Sequence, residues 1–203
     1  MSGRSVVGVT GNITQPSRTA ALLSAILMEV CAVTKAQSTL IELVDIGPEL
    51  FQSIAPGKFE SFTASRISPR VRSVIREIEA ADVLVVGTPV YKGSYTGALK
   101  HLFDMIPPQA LSGKPVLLAA TGGSPLHGLV TEHQLRPLIS FFGAHTIPTA
   151  IYATDVDFED YRLVSAEIAG RIARAAREIA RFLSAAPKAV EADAAIYRRV
   201  AAQ

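Results

Sequence analysis

Val6-Val7-Gly8-Val9-Thr10-Gly11-Asn12-Ile13-Thr14-Gln15-Pro16-Ser17-Arg18-Thr19 decides how this chain is read. The apolar run from Ser5 to Val9 predicts a buried strand that stops at Gly11. Small, polar and turn-forming residues follow, and a helix begins near Ser17. Strand, polar loop and helix N-terminus together make an anion site, because the first N–H groups of a helix lack intrahelical partners and point outward at its positive end. Thr14, Ser17 and Thr19 add hydroxyl donors, Arg18 adds a charge-assisted one, and Asn12 lies in the same loop. This is a candidate cradle for one terminal phosphate of a cofactor. The same residues also suit an ordinary strand-to-helix connection with Ser17 as N-cap, and both readings stand at this point.

Outward from that stretch, strands and helices alternate. A helix from Ser17 to about Thr34 places Leu22, Leu23, Ile26, Leu27 and Val30 on one side. Thr39–Ile46 reads as a second strand, apolar on both faces through Leu40, Ile41, Leu43 and Val44. Gly47 to about Ser68 reads as a long irregular segment, with Phe51, Phe59 and Phe62 packing it onto the body or serving a lid or subunit contact. Ser68-Pro69 opens a helix to about Ala80. Asp82–Gly87 is the third strand, and a helix follows from about Thr96 to Ile106. Lys114–Thr121 is the fourth strand. A helix from about Leu126 to Phe142 is bent by Pro137. Thr146–Ala153 is the fifth strand. The last helix covers about Tyr161–Leu183, with Ile168, Ile172, Ala175, Ile179 and Phe182 inward and Arg171, Arg174, Arg177 and Arg181 on a solvated face. Five strands alternating with five helices give a doubly wound parallel α/β sheet of the flavodoxin-like order 2-1-3-4-5 over residues 1–186, with residues 187–203 as an alanine-rich tail holding a possible short helix.

Composition narrows the function. The chain has 203 residues, 49% apolar and 19% charged, which suits one such domain. A net charge of +2 with scattered basic residues does not argue for nucleic acid. Cys31 is the single cysteine, expected as a buried thiol on the first helix. Met1-Ser2-Gly3-Arg4 leads straight into a strand, with no signal peptide and no run long enough to span a bilayer, so a cytoplasmic location is expected.

In a sheet of this order ligands sit beyond the carboxyl ends of the strands, near the first and third. The loops after strands one, three and four meet there. Loop three, Pro89-Val90-Tyr91-Lys92-Gly93-Ser94, offers backbone N–H groups and Tyr91 as an aromatic wall. Loop four, Thr121-Gly122-Gly123-Ser124 with His127 beyond it, lets the backbone approach a flat ligand closely. A phosphate, an apolar planar body and edge-on hydrogen bonds are what flavin mononucleotide requires. A flavin would carry out hydride transfer itself, which fits the lack of any acid–base apparatus.

Other chemistries fit less well. Gly8 and Gly11 do not make the Gly-x-Gly-x-x-Gly of a dinucleotide site, and Asp45, at the end of the second strand, caps it or mimics a ribose-binding acid. His101, His127, His133 and His145 lack metal-ligand spacing, and Ser124 is not in a nucleophile elbow.

With the three loops assembled, the chain resembles the NADPH-dependent FMN reductase family, and within it the flavin reductases of alkanesulfonate and methanesulfonate utilisation. The resemblance runs from about Val6 to Leu183. It rests on Gly11–Thr19 with its Pro16-Ser17-Arg18 core, on Thr88–Tyr91 with Gly93–Lys100 and Asp104, and on Ala120–Ser124 with His127. It implies hydride transfer from NADH or NADPH to FMN, with reduced flavin passed to a separate monooxygenase that cleaves a carbon–sulfur bond. It implies a homodimer or homotetramer with Lys100 and Asp104 near the subunit contacts, and a π-bulge in the fourth helix with His133 where relatives usually carry tyrosine. The alternatives are an enzyme that retains its FMN and reduces quinones, azo compounds or metal oxyanions, and a flavodoxin-type electron carrier.

Overall fold

The computed structural model describes residues 3–52 and 67–185. Its centre is a parallel sheet. β1 (Ser5–Thr10) lies between β2 (Gln37–Glu42) and β3 (Val83–Pro89), and β3 pairs with β4 (Pro115–Gly122). The far edge of β4 carries β5 (His145–Thr146) and then β6 (Ile151–Thr154). The order is β2-β1-β3-β4-β5, as the alternation predicts.

Successive strand residues point to opposite faces, and each face has its own core. Val7, Leu84 and Val116 face α2 (Gly47–Gln52), α3 (Pro69–Ala80), α4 (Gly97–Asp104) and α5 (Arg136–Ser140). Val6, Val85 and Leu117 face α1 (Arg18–Thr34) and α6 (Ala166–Ala185). Gly87 lets α1 sit close, since a Cβ there would lie 2.2 Å from Leu23 Cδ1. No helix among the described residues is long and apolar enough to cross a membrane.

Several elements differ from the sequence-based expectation. The second strand starts at Gln37 and ends at Glu42, and its outer residues are exposed because it is the sheet edge. Leu43 and Ile46 enter the core from a 3₁₀ turn, Leu43–Ile46, rather than from a strand apolar on both faces. Asp45 therefore ends no strand; its Oδ1 accepts from Gln15 Nε2 at 3.3 Å. Gly47–Gln52 is helical rather than irregular, with Leu50 buried; Phe51 is half-exposed and stacks on His101. Phe59 and Phe62 of that segment, and the tail at 187–203, lie outside the described residues. Cys31 is only partly buried.

The fifth strand is two pieces. Pro148 has no N–H for the ladder, and helices satisfy the backbone groups around it. Thr149 N donates to Glu178 Oε2 at 3.0 Å, and Arg171 Nε donates to Ala150 O at 2.6 Å. The predicted helix 126–142 is divided into a 3₁₀ turn, Pro125–His127, a π-helical turn, Thr131–Leu135, which contains His133 where the resemblance implies a π-bulge, and α5. Pro137 sits in the first turn of α5. Its ring cannot sit against the carbonyl four residues back, so the ladder widens and Arg136 N reaches Thr131 O. The last helix begins at Ala166, not Tyr161, because a hairpin of β7 (Phe158–Glu159) and β8 (Arg162–Leu163) precedes it. Its arginines Arg171, Arg174, Arg177 and Arg181 are exposed as expected.

Candidate functional site

The loops after β1, β3 and β4 are stitched to one another by hydrogen bonds. Gly11 N donates to Gly87 O at 2.8 Å, which continues the pairing of β1 with β3 into loop one. Thr96, the N-cap of α4, donates through Oγ1 to Gly11 O at 2.7 Å and through N to Thr88 Oγ1 at 3.2 Å. Val90 N donates to Thr121 O at 2.7 Å, joining loop three to loop four. Thr19 and Thr121 share a hydrogen bond of 2.6 Å between hydroxyls, joining loop four to the first turn of α1. The result is a cleft of about 370 Å³ at the carboxyl ends of the strands.

One end of the cleft is suited to an anion. Ser17 caps α1, its Oγ accepting from Ala20 N at 3.2 Å, so its own proton remains to be donated. The first turn of α1 contains no acidic residue, so nothing in that turn offsets its positive end. Arg18 extends over this end, its Nη1 3.2 Å from Asp155 Oδ1 and its guanidinium over the Tyr161 ring.

Most of the residues expected at the site do line this cleft: Asn12, Thr14, Ser17, Arg18 and Thr19 from loop one, Pro89, Val90 and Tyr91 from loop three, and Thr121, Gly122 and Gly123 from loop four. Lys92 and Gly93, both at positive φ, form the tip of a tight turn closed by Tyr91 and Ser94, and do not line it. Ser94 donates instead to Gln134 Oε1 in the π-helical turn at 3.1 Å, so Gln134, not the exposed His133, links that turn to loop three. Ser124 caps the short turn after β4, and His127, the last residue of that turn, is exposed. Pro16, Asp155 and Tyr161 line the cleft without having been singled out as site residues. The available signal for Asp155 and Tyr161 was positional, since the segment after the fifth strand ends at the same rim as the other three loops.

The chemistry of the lining suits a phosphorylated, flat, polyhydroxylated molecule. Asn12 is buried, its Nδ2 donating to Thr14 O at 3.1 Å and to Glu42 Oε2 at 2.9 Å, while its Oδ1 has no partner. A buried acceptor beside an anion site fits a ligand hydroxyl. Tyr91 is half-exposed and can cover an apolar ring. At Gly123 an added Cβ would meet no atom within 4 Å, whereas at Gly122 it would lie 2.5 Å from Tyr152 Oη. Burial, and then the negative charge of Asp155, push the Tyr152 phenol up, and its hydroxyl donates to Ser124 O at 2.6 Å. Tyr152 thus stays protonated and braces loop four.

The profile of the NADPH-dependent FMN reductase family matches residues 4–159. The chain is 46% identical over 175 residues to an FMN reductase (NADPH) of Pseudomonas aeruginosa, covering 86% of this chain and 90% of that protein. It is 45% identical over 175 residues to the NADH-dependent FMN reductase SfnF of Pseudomonas fluorescens, covering 86% and 89%. Its fold is similar to the crystal structure of an oxidoreductase from Corynebacterium diphtheriae, with a TM-score of 0.76, 33% identity and coverage of 91% and 99%.

Proposed function

The chain belongs to the NADPH-dependent FMN reductase family, and from that premise we propose that the cleft beside Arg18 is its FMN site. It is an oxidoreductase that acts with FMN and a reduced nicotinamide nucleotide. FMN supplies the hydride-accepting centre; the chain's part is to bind, orient and enclose. In this reading Ser17, Arg18 and the backbone N–H of Thr19, whose hydroxyl is bonded to Thr121 rather than offered as the sequence suggested, hold the phosphate, and Asn12 Oδ1 takes a hydroxyl of the polyol. Pro89, Val90 and Tyr91 flank the ring, and Gly122 and Gly123 let the backbone approach it.

The observation that carries the reading is the joining of the three loops into one cleft with an anion site at one end. Steady-state oxidation of NADH and of NADPH, with and without added FMN, tests it. Oxidation should depend on added flavin, and an enzyme that neither retains FMN nor responds to it would contradict the reading.

We further propose that reduced flavin leaves for a separate monooxygenase that cleaves a carbon–sulfur bond. The likeness of the three loops to sulfonate-type reductases and the 45% identity to SfnF support this. A homo-oligomer is also proposed, supported by the exposed side chains of Leu126, Leu129 and Phe141.

A further inference from the structure

The anion on Arg18 in this structure is the chain's own. Asp155 follows β6 and opens a 3₁₀ turn, Asp155–Asp157, whose position is fixed by a reciprocal cap. Asp157 Oδ2 accepts from Thr154 N at 2.7 Å and from Thr154 Oγ1 at 3.0 Å. Burial alone would push the Asp157 carboxyl up; hydrogen bonds from Thr154 and Ser165 outweigh it and hold the group ionised. Tyr161 stands at the tip of the β7–β8 hairpin with φ of 60°, a conformation bulky residues rarely take. Its ring centroid lies 5.6 Å from Arg18 Cζ. A capped turn and a tight hairpin therefore bring a carboxylate and an aromatic face to the same arginine, at the helix end whose first turn has no acidic residue of its own.

We propose that Asp155 sets how loosely flavin phosphate is held, by competing with it for Arg18. The inference rests on the assignment of the phosphate to Arg18 made above. A phosphate that reaches Arg18 must displace Asp155 or share the guanidinium with it against like-charge repulsion, and either opposes binding. Asp155 thereby favours exchange of FMN over its retention. It acts only on flavins that carry a phosphate, so riboflavin is indifferent to it. Arg18 and Asp155 are 43% and 58% exposed, so the penalty is modest and screened by salt.

The test is equilibrium binding of FMN and of riboflavin to the wild type, Asp155→Asn, Asp155→Ser, Arg18→Ala and the Arg18→Ala/Asp155→Asn double variant, at low and high salt. Both Asp155 variants should bind FMN about two- to fivefold more tightly at low salt, with the gap narrowing as salt rises. Riboflavin affinity should not change, and in the Arg18→Ala background, where no guanidinium is left to compete for, the Asp155 substitution should tighten FMN less than it does in the wild type. Unchanged or weakened FMN binding in both Asp155 variants, or equal tightening for riboflavin, would overturn the proposal. If Arg18→Ala alone binds FMN like the wild type, the phosphate assignment itself fails, a result distinct from failure of the Asp155 role.

Discussion

Thr19 Oγ1 and Thr121 Oγ1 lie 2.6 Å apart although 102 residues separate them in the chain, and both residues are buried. The bond fixes the first turn of α1, where a phosphate is proposed to sit, against the end of β4, where a ring is proposed to sit. That side-chain contact therefore ties the two ends of the cleft to each other directly, beside the backbone bonds that join the three loops.

Replacing either threonine with valine leaves the other hydroxyl without its partner. Each single variant should lose about 1–3 kcal/mol of stability, the penalty for an unsatisfied buried polar group. The Thr19→Val/Thr121→Val double variant should lose less than the sum, because no hydroxyl remains stranded. Urea unfolding of all four proteins measures this, and strict additivity would show the contact to be energetically idle.

The two glycines of loop four should behave differently. A methyl at Gly122 runs into Tyr152 Oη and disturbs its bond to Ser124 O, so Gly122→Ala should lower the melting temperature. A methyl at Gly123 meets no protein atom within 4 Å, so Gly123→Ala should keep wild-type stability and weaken FMN. Calorimetry paired with flavin titration separates the two effects. Undiminished flavin affinity in Gly123→Ala would remove loop four from the ring contact.

The central strands were legible because burial on both faces demands the continuous apolar runs that Val83–Val86 and Val116–Ala120 display. The Ser17 and Ser68 caps were legible because helix starts need a side-chain acceptor. Local composition misled where tertiary position decides. Leu43 and Val44 look like strand, yet an edge strand can end early and send Leu43 into the core from a turn. Pro148 should have signalled a break between Thr146 and Ile151, but its neighbours are apolar enough to hide one. The Asp160-Tyr161 turn carries no glycine, so the hairpin that delivers Tyr161 left no turn signal, and the ion pair of Arg18 with Asp155 lay hidden with it.

The π-helical turn gives a pH-dependent prediction. Arg136 Nε and Nη2 donate to Glu132 Oε2 and Oε1 at 2.6 and 2.9 Å across that turn. The Arg136 hydrogen bonds, against a smaller opposing effect of burial, hold the Glu132 carboxyl below the usual range. A lowered folded-state value means that the stability is present above the unfolded value, about 4.3 for Glu, and is lost as pH falls through the folded one. Glu132 is 39% exposed, so Glu132→Gln should cost no more than about 1 kcal/mol near neutrality, with the difference closing in acid. Thermal unfolding of both proteins across pH 3 to 7 checks the sign, and a gap that widened in acid would refute it.

A crystal structure of the FMN complex tests the central claim most directly. The phosphate is expected within hydrogen-bond reach of Ser17, Arg18 and Thr19, with the ring flanked by Tyr91 and Gly123. A phosphate bound away from Arg18, or a ring that does not touch the loops after β3 and β4, would contradict it.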